Sequence, residues 1–170
     1  MVVRLTAPMR YDLAMKNKVF AFVAGAVLVG GAAIAFAQTK PVSSRVAATV
    51  YKTPTCGCCS LWVEHLRANG FQVETKDVSS AEVRAVSKAA GLPEDGTSCH
   101  TAKIGNYVVE GHVPASDIHR MLKEKPAIAG IAAPGMPMGS PGMEQGGVKD
   151  AYDVVSFTKD GKMTVYSKHK

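Results

Sequence analysis

Three cysteines fall within four residues, Cys56-Gly57-Cys58-Cys59, at the junction of two different hydrophobic patterns. Before them, Val46-Ala47-Ala48-Thr49-Val50-Tyr51 is a short apolar run that reads as a buried strand. Thr53-Pro54-Thr55 breaks that run, and Thr55 is the expected N-cap of a helix. From Cys58 to Asn69, Leu61, Trp62, His65 and Leu66 recur at helical spacing, and Gly70 is placed to close the helix. The cysteines therefore open a helix directly after a strand. At a helix start, free N–H groups and peptide dipoles favour thiolate over thiol. The thiolate is both a nucleophile and a soft-metal ligand, so this junction suits redox chemistry and metal binding alike.

The rest of the chain continues the alternation. Phe71 to Thr75 alternates as a second strand, and Ser79 with Glu82 forms a capping box. The helix it heads runs through Ala90 to a stop at Gly91. A loop from Pro93 to Ser98 leads to Cys99, then to strands His100–Ile104 and Tyr107–Glu110 joined at Gly105-Asn106. Pro114 starts a third helix carrying Ile118, Met121 and Leu122. Residues 126–147 are dominated by Pro, Gly, Ala and Met and read as a loop without elements of its own. Tyr152–Thr158 and Met163–Ser167 alternate around Asp160-Gly161, a hairpin signal. The expected fold class is α/β, in the order β-α-β-α-β-β-α, followed by a Met/Pro/Gly loop and a β-hairpin, all in one domain over residues 47–170. Among the histidines, His65 reads as core packing, and His119 and His169 as solvated. His112 reads either as a cap for the Pro114 helix or as a metal partner.

The N-terminus reads as an address. From Val19 to Ala37 no residue is charged, Lys16 and Lys18 stand just before, and Ala35-Phe36-Ala37 fits a small-x-small cleavage site. Residues 1–37 are thus an expected signal peptide, with Met15 a more natural start than Met1, and 38–46 a tether. The rival is a retained anchor, since the apolar stretch is just long enough to span a bilayer. The whole chain carries a net charge of +6, but the first 37 residues hold four of the 20 basic and one of the 14 acidic residues, leaving +3 for the remainder. That mild excess, with no basic stripe interleaved with aromatics, argues against nucleic acid as a partner. The membrane is expected to matter only during export.

All four cysteines lie beyond the leader. Two structural disulfides would be the plain reading in an exported chain. Against it, three cysteines in one turn staple almost nothing, and the adjacent Cys58 and Cys59 are poorly placed to bond each other. A dithiol redox pair, Cys56 with Cys59, needs two sulfurs and leaves Cys58 idle. A closed zinc site usually pairs two C-x-x-C knuckles, whereas here three cysteines cluster and one is remote.

The order strand, C-x-x-C, helix, strand, helix, two strands, helix resembles the thioredoxin and glutaredoxin fold. In that family the residue pair opening the third strand faces the C-x-x-C motif. On this sequence the pair is Cys99-His100, so the resemblance implies that Cys99 points at Cys56, Cys58 and Cys59. His100 stands where that family has a proline, and Thr55 where thioredoxins commonly have tryptophan. A closer resemblance covers roughly Thr49 to Met143. The stretches Thr55–Cys59, Ser98–Ala102, Val109–Ala115 and Gly135–Met143 resemble, in order, the bacterial family once called domain of unknown function 411, which includes CopG-type copper-resistance proteins. That resemblance implies a thioredoxin-like fold and copper handling in the periplasm, with other periplasmic copper carriers or efflux components as partners.

The ligand chemistry points the same way. Thiolates and thioethers together select copper(I), and Met136, Met138 and Met143 supply thioethers in the late loop. Four thiolates carry up to four negative charges, which one copper(I) ion balances poorly, so several bridged copper ions are expected. The expected metal ligands are Cys56, Cys58, Cys59 and Cys99, with Met136, Met138, Met143, His100 and His112 as secondary candidates. The alternative function is a thiol–disulfide oxidoreductase using Cys56 and Cys59.

Overall fold

A computed structural model describes residues 45–170; the expected leader, its alternative as an anchor, and nearly all of the tether lie outside them. The chain runs β1 (Val46–Lys52), α1 (Gly57–Ala68), β2 (Phe71–Asp77), α2 (Ser80–Ala89), β3 (His100–Ile104), β4 (Tyr107–Glu110), α3 (Ala115–Glu124), β5 (Gly130–Ala132), β6 (Tyr152–Phe157) and β7 (Met163–His169). The α/β order read from the sequence is present. One seven-stranded sheet has the order β2-β1-β3-β4-β5-β6-β7. β1 runs parallel to β2 and antiparallel to β3, which is antiparallel to β4. No helix among the described residues is long and apolar enough to cross a membrane.

Local chemistry explains the helix ends, with one correction. The N-cap of α1 is Cys56 rather than Thr55: the Cys56 Sγ accepts from the backbone N–H of Cys59 at 3.3 Å. Gly70, at φ +88, takes the left-handed turn after α1. Ser79 and Glu82 form the expected capping box on α2, each side chain accepting from the other residue's backbone N–H. His65 does not merely pack in the core; its Nε2 accepts the Ala115 N–H at 3.1 Å and so caps α3, a role His112 does not take. His169 is not simply solvated: it meets Asp117 at 2.8 Å and stacks on Tyr152, tying β7 to α3. His119 stays exposed but stacks on Phe71.

Two strand expectations change. In β2 only Phe71 is fully buried, because this is an edge strand with its outer half in solvent. Residues 126–147 are not element-free: Gly130–Ala132 forms β5, parallel to β4 and antiparallel to β6. The segment was illegible because it is three residues long inside a Pro/Gly-rich stretch. Gly130 makes it possible, since a Cβ there would run into the Val108 carbonyl and lie 2.7 Å from the Phe157 ring. β5 thereby joins the hairpin β6–β7 to the first four strands.

The core lies between the helices and the sheet. Trp62, Leu66, Phe71, Ile104, Ile118, Met121 and Ile131 are fully buried there. Trp62 also donates its indole N–H to the Val113 carbonyl at 2.9 Å. That bond anchors the first turns of α1, and hence the cysteines, to the segment entering α3.

Candidate metal centre

The register of the central strands assembles the site. Lys52, the last residue of β1, pairs with His100, the first of β3. The turn leaving β1 and the residue entering β3 are therefore neighbours: the cysteine turn on one side and Cys99 on the other. The Sγ atoms of Cys56, Cys58, Cys59 and Cys99 lie within 4.8 Å of one another. Cys56 and Cys58 are 3.6 Å apart, and Cys59 and Cys99 3.5 Å. Cys59 is fully buried and the other three half-buried. Cys56 and Cys59 are joined as a disulfide, while Cys58 and Cys99 are free.

The Cys99 thiol is weakly acidic. Burial, then the neighbouring Cys58, push it up to about 12. Without a metal it stays protonated at neutral pH, and a soft cation has to displace that proton to bind.

Two buried histidines meet the same sulfur. Cys99 Sγ lies 3.3 Å from His100 Nδ1 and 3.2 Å from His112 Nε2, and the three residues make a second compact donor group. Burial, then the charge His112 would carry, hold His100 down at about 3; burial also lowers His112. Both rings are thus neutral at pH 7 and have a nitrogen lone pair. The His112 Nδ1–H donates to the Pro141 carbonyl at 2.8 Å, which fixes the tautomer and turns the Nε2 lone pair toward Cys99. His100 Nε2 is buried without a hydrogen-bond partner.

Residues the sequence did not single out support this corner. Glu110 is fully buried, and its carboxyl accepts the Ser98 N–H at 2.8 Å, just before Cys99. Its other oxygen lies 2.5 Å from Thr101 Oγ1, the residue directly opposite it in the β3–β4 register. Thr101 has one hydroxyl proton and also reaches the Val83 carbonyl at 3.2 Å, which only accepts. When Thr101 donates there, Glu110 must be the donor to Thr101. Burial raises the Glu110 carboxyl to about 7, against the lowering effect of its Thr101 and Ser98 hydrogen bonds, so the neutral and charged forms are both populated near neutral pH. Only a signal of pairing register could have revealed this group.

The late loop crosses the site by its backbone. Ser98 Oγ donates to the Gly135 carbonyl, Gly135 N–H to Thr97 O at 3.0 Å, and Pro141 takes His112. Gly142, at φ +84, passes so close to α1 that a Cβ would stand 2.8 Å from Cys58 O and Trp62 N. Of the three candidate methionines, Met136 is 54 % exposed, and Met138 and Met143 are half-buried.

Residues 96–143 match the family described as Protein of unknown function, DUF411. No functionally curated protein matches. The chain is 46 % identical to a solved structure called copper resistance protein CopG, form 2, covering 74 % of this chain and 98 % of that one with a TM-score of 0.67. Form 1 matches at 44 % identity, with the same coverage and TM-score. Such identity over nearly the whole length of those chains means that this protein belongs to the DUF411 family, the family of the copper resistance protein CopG.

Proposed function

We propose that the protein binds copper(I) as its cargo through Cys56, Cys58, Cys59 and Cys99, and so contributes to copper tolerance after export to the periplasm. The observation that carries this reading is the convergence of four sulfurs within 4.8 Å. The donor set fits: thiolates with adjacent neutral imidazoles suit copper(I), and Cys58 and Cys99 lie 3.6 and 3.5 Å from the two sulfurs of the disulfide. The disulfide opens to its two thiols before the full set can bind. Charge balance on four thiolates favours a small polynuclear cluster, with His100, His112 and the loop methionines as further donors. The A-x-A leader supports export.

The Cys56–Cys59 disulfide favours a second activity at the same atoms. Forming it from two thiolates releases two electrons, enough to reduce two copper(II) ions to copper(I). The same pair could serve a thiol–disulfide oxidoreductase acting on other proteins. Anaerobic titration of the fully reduced chain with copper(I) against a chromogenic chelator separates these readings. Uptake of more than one copper per chain is expected, and saturation at one removes the cluster. Cys99→Ser is expected to lower copper stoichiometry or affinity at least tenfold while sparing disulfide exchange by Cys56 and Cys59. Unchanged copper binding in that variant would exclude Cys99 from the site and favour the oxidoreductase.

A further inference from the structure

A cleft of about 220 Å³ opens on one side of the cysteine cluster, lined among others by Thr53, Cys56, Ser80, Arg84, Ser98 and Cys99. It is one route from solvent to the disulfide. Cys56 lines it and is half-buried, whereas Cys59 is fully buried behind it. Arg84 is the one charged residue in the lining, on the exposed side of α2. Among the described residues its guanidinium has no acidic partner. The Glu82 carboxylate is held by Ser79, and Glu94, which lines an adjacent cleft together with Arg84, makes no ion pair with it. Thr53 and Ser80 add hydroxyl-bearing side chains to the same wall. The cleft therefore combines an attackable sulfur, a free cation and room for a molecule of a few heavy atoms.

We propose that this cleft docks a low-molecular-weight thiol bearing a carboxylate, and that such a thiol is the reductant of the Cys56–Cys59 disulfide. This deepens the reading above, since copper(I) needs all four sulfurs free. The carboxylate lies against Arg84, and the thiolate attacks Cys56 Sγ. The bond from the incoming sulfur to Cys56 forms as the Cys56–Cys59 bond breaks, and Cys59 leaves as thiolate. A second thiolate attacks the bound small thiol's sulfur, forming the small-molecule disulfide and releasing Cys56 as thiolate. Two thiols are oxidised, one protein disulfide is reduced by two electrons, and the two thiol protons pass to Cys56 and Cys59. Attack at Cys56 follows from access, and the preference for an anionic thiol from Arg84.

The test measures reduction of the oxidised full chain by 3-mercaptopropionate, 2-mercaptoethanol and cysteamine at low salt, each rate taken relative to the same thiolate's rate with a neutral small-molecule disulfide, so that intrinsic nucleophilicity cancels. The anionic thiol is expected to outpace the cationic one about fivefold, equivalent to about 1 kcal/mol in barrier. Arg84→Lys should keep that order, Arg84→Glu should reverse it, and 1 M salt should flatten it. Equal rates for the three thiols on the unmodified chain would overturn the proposal, as would a ratio unmoved by Arg84→Glu. Copper(I) uptake by chemically reduced Arg84→Glu keeps the two readings apart. It should match the unmodified chain, so a cleft that fails the rate test leaves copper binding intact. A chain that takes up no copper leaves the rate ratios standing.

Discussion

At the scale of single residues, burial shifts two ionisable groups of the site toward their neutral forms. Glu110 and His100 are both fully buried, and they pull stability in opposite directions with pH. The Glu110 carboxyl is raised from 4.5 to about 7, so the folded chain keeps a proton that the unfolded chain loses first. Stability from this source is undiminished below 4.5, falls as pH rises through that window, and stays lower above it. Glu110→Gln has the donor and acceptor the neutral acid uses and never ionises. In the metal-free chain it should match the parent near pH 4.5 and exceed it above pH 7 by on the order of 3 kcal/mol, read from urea midpoints. Parallel curves for the two proteins would contradict a buried acid. His100, lowered from 6.5 to about 3, acts the other way. Its contribution is complete above 6.5 and is lost as pH falls toward 3, so His100→Gln should flatten the acid limb of the same curve. The cysteine turn was legible because its chemistry is local: spacing alone put Cys56, Cys58 and Cys59 at a helix start. Glu110 was not, because its partners Ser98 and Thr101 become neighbours only through pairing.

At the scale of elements, the late loop acts as a strap, and one glycine sets how close it lies. Gly142 has a positive φ and no room for a Cβ against Cys58 O and Trp62 N. Gly142→Ala should therefore lift the strap from α1 and loosen the Pro141–His112 hydrogen bond. We expect a loss of about 2 kcal/mol in the denaturation midpoint together with weaker copper(I) retention in chelator competition. Loss of stability with unaltered copper retention would show the strap to be structural only. Gly57 is the control: it sits in the first turn of α1, and a Cβ added there would meet nothing within 4 Å. Gly57→Ala should leave the midpoint within about 0.5 kcal/mol. The composition of 126–147 did reveal a loop without regular periodicity. It did not reveal that this loop's carbonyls orient a site histidine, because backbone acceptors leave no mark on residue type.

At the scale of the whole molecule, β5 unites the strands that bear the site with the C-terminal hairpin. Its pairing with β4 depends on Gly130 meeting the Val108 carbonyl without a side chain. Gly130→Ala should cost about 3 kcal/mol and expose residues 126–150 to proteolysis before the rest of the chain. Intact protection of that segment would show that β6 holds it without β5. Copper gives a second global reading. If the ion binds the folded chain alone, free copper(I) at about 1,000 times its dissociation constant should add about 4 kcal/mol, and chelation should remove it.

The sequence by itself determined the alternation of strands and helices, the capping box at Ser79 and Glu82, and a helix opening on three cysteines. Each of these rests on interactions within a few residues along the chain. Tertiary structure alone decided that Cys99 meets those cysteines, that His100 and His112 turn their nitrogens toward it, and that Glu110 braces its backbone. The β1–β3 register sets Lys52 beside His100, and the β3–β4 register sets Thr101 beside Glu110. Register is a property of paired strands far apart in sequence. The fourth sulfur was therefore within reach of fold resemblance but beyond spacing.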